Sequence, residues 1–116
     1  MRLNEVVFDG SVPVDGYGPG FFRLKGEVHE GALLLLPDGP ARWDAYATAP
    51  ILAAAAAIDV VLLGTGAEIA AAPDGFTEAL EAAGIGVEVM ATPSACRTYN
   101  VLLGEGRRIG AALIPV

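Results

Sequence analysis

Apolar residues recur along this chain in two different rhythms. In the first half they form short runs separated by Gly and Pro. RLNEVVF, residues 2–8, is short and rich in strand formers, and predicts a strand. FFRLKGEV, 21–28, alternates sides, with Phe22, Leu24 and Gly26 opposed to Phe21, Arg23, Lys25 and Glu27. His29-Glu30-Gly31 predicts a tight connection to ALLLLP, 32–37, so that these two strands form an antiparallel hairpin. Asp38-Gly39-Pro40 marks a turn, and 41–46, carrying Trp43 and Tyr46, a further short strand.

In the second half helical and extended patterns alternate. Thr48 suits the N-cap of a helix through Ala57, with Pro50 in its first turn. IDVVLL, 58–63, is a continuous apolar run entered through Asp59, the pattern of a strand covered on both faces. Residues 74–83 read as an amphipathic helix with Phe76, Ala79, Leu80 and Ala83 on its inner face, Glu78 and Glu81 in solvent, and Gly84 as its C-terminal cap. VEVM, 87–90, is the next strand. Thr92-Pro93 opens a helix to Leu103, stopping at Gly104, with Ala95, Cys96, Tyr99, Leu102 and Leu103 as its apolar stripe, and RIGAALIPV, 108–116, closes as a strand. The fold class expected is α/β: three layers, a mixed central sheet, an N-terminal antiparallel hairpin and about three helices in one domain spanning 1–116.

Composition narrows the function classes. Over 116 residues, 53% hydrophobic content with 18% charged is ample for a core and unlike a disordered chain. Fourteen acidic against seven basic residues give a net charge of −7, with Arg107-Arg108 the only adjacent basic pair, so nucleic acid is not an expected partner. Residues 49–67 are long and apolar enough to suggest a membrane span, but Asp59 at the centre and the change from an Ala run to Val and Leu predict a helix followed by a strand, not membrane insertion. Cys96 is alone, and Asn4, Glu5 and Asp9 interrupt what a signal peptide would need, so a cytoplasmic location is expected.

Two stretches, GPGFFRLKGEVHEGALLLLPDG with Trp43 just beyond and TPSACRTYNVLLGEGRR, resemble a small family of unknown biochemical activity. It includes a mitochondrial assembly factor for respiratory complex I (complex I assembly factor 3) and an adipogenesis-associated animal protein, and its bacterial members are short, free-standing domains. The resemblance runs from about Val6 to Ile114 and is most specific at Arg97-Thr98-Tyr99-Asn100. It implies a three-layer fold around a mixed sheet, no agreed catalytic residues, and a role in protein assembly for the eukaryotic members.

Among chemical groups, Gly64-Thr65-Gly66 follows a strand as in a dinucleotide-binding loop, but Ile69 stands where the third Gly belongs, and no cofactor is expected. Cys96 beside Arg97 near a helix start could be an activated thiol, although it lies on the apolar stripe. His29 has no triad partner, and no His/Cys/Asp spacing points to a metal. Arg97, opposite the stripe and flanked by Thr98 and Asn100, calls for a carboxylate or an anion. Two functions follow. The first is a non-catalytic interaction or assembly module with a protein partner. The alternative is a binder of, or enzyme for, a small anionic ligand, using Gly64, Thr65 and Gly66 with the start of the Thr92 helix and Arg97, Thr98 and Asn100.

Overall fold

The computed structural model describes residues 10–116, so the strand expected at 2–8 lies outside the described residues. Two sheets form. In the smaller, β1 (Gly16–Gly18), β2 (Phe21–Leu24) and β3 (Glu27–Glu30) pair antiparallel in that order. The larger contains β4 (Leu33–Leu36), β5 (Gly39–Arg42), β6 (Val60–Thr65), β7 (Gly86–Met90) and β8 (Ile109–Ile114), in the order β5-β4-β8-β6-β7. β6 is parallel to both β7 and β8, whereas β4 is antiparallel to β5 and β8, so the central sheet is mixed. The helices are α1 (Ala49–Leu52), α2 (Phe76–Ala82) and α3 (Thr92–Gly104).

Successive strand side chains face opposite sides, and this alternation builds two cores. Leu33, Leu62, Ala111 and Leu113 pack against Ala95, Cys96 and Tyr99 of α3 together with Phe22 and Leu24 of the small sheet. Leu34, Val61, Leu63 and Ala112 pack against Phe76 and Leu80 of α2 and against Trp43. β6, flanked on both edges and covered on both faces, is buried from Val61 to Gly64, while Asp59 at its start is exposed. The result is the expected three-layer α/β arrangement, with the antiparallel hairpin in the layer beside α3.

Several local expectations are corrected. The hairpin joins 21–24 to 27–30, with Phe22 opposite His29. Its turn is Lys25-Gly26, at φ 51° and 80°, the left-handed pair that a two-residue hairpin turn demands. His29 therefore lies on β3, and Gly31, at φ 83°, swings the chain out of one sheet and into the other. The strand expected at 41–46 is β5, 39–42; Trp43 follows it and Tyr46 is in a left-handed turn at φ 66°. α1 is one turn long, and Thr48 makes no side-chain cap bond. Beyond it, N–H groups of Ala54 and Ala55 bond three residues back to Ile51 and Leu52, because the Ala run buries too little to hold a longer helix. On α2, Phe76 and Leu80 are buried but Ala79 and Ala83 are exposed. α3 includes Gly104, and the chain turns out of it at Gly106, φ 77°, where the Gly106 and Arg107 N–H groups bond back to Leu103 and Leu102.

The apolar stretch 49–67 divides into α1, its turns and β6, and no helix among the described residues is long and apolar enough to cross a membrane.

Candidate functional site

The carboxyl end of β6 meets the start of α3, as the alternative reading required. The approach is very close: a Cβ on Gly64 would stand 2.7 Å from Thr92 Oγ1 and 3.0 Å from Thr92 Cα. Gly66, at φ 109°, turns the chain away. Its N–H donates to Thr92 Oγ1 at 2.8 Å, its carbonyl accepts from the Thr92 N–H at 2.8 Å, and the Thr92 hydroxyl donates to the Ile114 carbonyl at 2.6 Å. Thr65 Oγ1 donates to the Glu68 carbonyl and accepts the Ala70 N–H, both at 2.9 Å. The loop's polar groups thus tie β6, β8 and α3 together.

Arg97, Thr98 and Asn100 diverge from this junction and from one another. Arg97 is exposed, and its guanidinium donates to Ser94 Oγ at 3.3 Å rather than to a carboxylate. Thr98 lines a shallow groove with Leu62, Glu88, Met90 and Leu102. The Asn100 amide clasps one distant peptide unit: its Nδ2 donates to the Val14 carbonyl and its Oδ1 accepts the Val14 N–H, each at 2.8 Å. Among the described residues, the arginine that meets an acid is Arg108, whose Nε and Nη2 each reach an Asp59 carboxylate oxygen at 3.3 Å on the surface. The sequence reading passed over Thr92 as a hub and this pair as a partnership. Both depend on β6 and β8 being neighbours, which local pattern does not specify.

Cys96 is buried, and desolvation pushes its thiol up to about 11 against the opposing pull of the Arg97 charge. A neutral thiol packed in the core is a poor nucleophile. Among the described residues no group of three or more His, Cys, Asp or Glu is placed to hold a metal ion.

Two open clefts flank β7. One, of about 520 Å³, runs between α2 and the 69–74 loop, with Ile69, Pro73 and Val89 in its wall and Asp74 and Glu78 beside them. The other is the groove at Thr98, of about 160 Å³, between α3 and the sheet.

A protein family described as being of unknown function (DUF498/DUF598) matches residues 14–114. An uncharacterised protein of Rhodobacter capsulatus is 49% identical over 100% of this chain and 94% of its own length. The rat protein named NADH dehydrogenase [ubiquinone] 1 alpha subcomplex assembly factor 3 is 33% identical over 99% of this chain, which spans 66% of that longer protein. A crystal structure described as an outer membrane protein from Bartonella henselae superimposes with a TM-score of 0.85 at 33% identity, covering 91% of this chain and 96% of its own.

Proposed function

Because this chain belongs to the DUF498/DUF598 family of proteins of unknown function, we propose that it is a non-catalytic interaction module that helps a larger complex to assemble. The observation that carries this reading is the 33% identity, over 99% of the chain, with an assembly factor named for NADH dehydrogenase. The polar groups of the candidate anion site support the same reading, since Gly66, Thr92 and Asn100 are engaged within the protein.

Deletion of the gene in its native host tests the proposal. Native electrophoresis of membrane complexes should show less assembled NADH dehydrogenase and an accumulated subcomplex, with NADH-dependent quinone reduction falling in step. Unchanged complex and activity would refute it. A small-anion role for Gly64, Thr65, Gly66, Arg97, Thr98 and Asn100 makes a different prediction: phosphate should raise the melting temperature of the wild type but not of Arg97→Ala.

A further inference from the structure

β7 is an edge of the central sheet, and among the described residues it pairs only with β6. Its Gly86 N–H bonds inward to the Asp59 carbonyl at 2.9 Å. Backbone direction alternates along a strand, so the N–H and C=O groups of Val87 and Val89 point outward, away from β6. The opposite edge, β5, contains Pro40, which has no N–H to offer. β7, GVEVM, carries no Pro or Lys, the usual protection for an exposed edge.

The side chains on either side of this edge differ in chemistry. Towards α2, Val89 borders a cleft walled by Pro73 and by Ile69, which is 65% exposed, with the carboxylates of Asp74 and Glu78 beside them. An apolar wall ending in acids fits a long aliphatic stem ending in a cation, a Lys or Arg. Towards α3, the smaller groove lined by Leu62, Met90 and Leu102, with Glu88 and Arg107 also in its wall, fits an aliphatic side chain. A second copy of the chain is a poor occupant: antiparallel pairing of two β7 strands about their centres would set Glu88 against Glu88.

We propose that the β7 edge receives an extended basic segment of a protein partner, added as a sixth strand with Lys or Arg facing the Asp74–Glu78 cleft and aliphatic residues facing α3. This mode of recognition takes affinity from main-chain hydrogen bonds and specificity from the alternate side chains. It deepens, and rests on, the reading of the chain as an interaction module.

The probe is a capped synthetic peptide of alternating Lys and Val, titrated into the intact protein at low salt. Amide shifts and slowed exchange should centre on Val87 and Val89. Methylating the peptide's backbone nitrogens should abolish binding, and Asp74→Asn with Glu78→Gln, both exposed positions, should weaken it at least about threefold. Shifts centred elsewhere, equal binding of the methylated peptide, or indifference to the double neutralisation would overturn the proposal. In the deletion strain, complementation with Asp74→Lys/Glu78→Lys separates the two ideas. Full rescue of an assembly defect removes the edge proposal and leaves the assembly reading intact. A deletion without any defect removes the assembly reading, and the peptide titration then decides the edge by itself.

Discussion

Thr92 is the buried polar side chain through which β6, β8 and α3 are joined. Its hydroxyl accepts from Gly66 and donates to Ile114, so it uses both of its hydrogen-bonding functions within the protein. Thr92→Val keeps the shape and removes both bonds, leaving a buried N–H without an acceptor. It should cost about 1–3 kcal/mol, seen as a lower urea midpoint with an unchanged slope. Thr92→Ser, which keeps the hydroxyl, should cost less. If Val matched the wild type, the junction would owe nothing to that hydroxyl. Cys96 makes a prediction about pH. Burial disfavours the thiolate, so the folded pKa lies above the unfolded one, and the associated stability is complete below the unfolded value. It is lost as pH rises from about 9 towards about 11. Denaturation midpoints of the wild type should therefore fall more steeply than those of Cys96→Ala across that range, and a thiol reagent should label Cys96 slowly until the protein unfolds.

Among the elements, those whose pattern is self-sufficient were legible in the sequence. The apolar run at 60–63, entered through Asp59, reads as a doubly covered strand, and the spacing of Ala95, Cys96 and Tyr99 as one buried helix face. Pairing was a different matter. Leu33–Leu36 is buried on both faces and has no period from which to read a partner. A Gly at 31 and a Lys-Gly at 25–26 both permit a turn, and the choice falls to the pair that gives a two-residue loop with Phe22 and Leu24 on one inner face. The candidate site was legible in part for the same reason. The Gly64–Gly66 loop does meet the Thr92 helix start, but Asn100 bonds to Val14, 86 residues away, and no local signal carries that distance. The hairpin also holds a non-Gly residue at positive φ, Lys25. Asn tolerates that region better. Lys25→Asn should stabilise the protein by about 0.5–1 kcal/mol, part of the cost of a strained left-handed residue. A thermal melt checks it, and a lower melting temperature would mean that Lys25 contributes something besides backbone.

In the molecule as a whole, the two sheets are secured very unequally. The small sheet presents Phe22 and Leu24 to the core while Arg23, Lys25 and Val28 face water. Among the described residues, the polar bonds that tie 12–30 to the rest include Asn100 to Val14 and the Gly20 N–H to the Val116 carbonyl at 3.1 Å. The central sheet has a core on each face. Native-state hydrogen exchange should then resolve two openings, a smaller one releasing 12–30 and the global one releasing β6 and β8. Two substitutions distinguish this from a single cooperative unit. The Asn100–Val14 bonds are broken in both openings, so Asn100→Ala should lower both opening free energies equally, by about 1–3 kcal/mol. Leu63 packs on the far face with Trp43 and Phe76, and its contacts survive the smaller opening. Leu63→Ala should therefore lower only the global one, by about 2–5 kcal/mol, with exchange in 12–30 unchanged. Equal losses in both regions for Leu63→Ala would show that the sheets open together, and that the layer beside α3 is as firmly part of the fold as β6 itself.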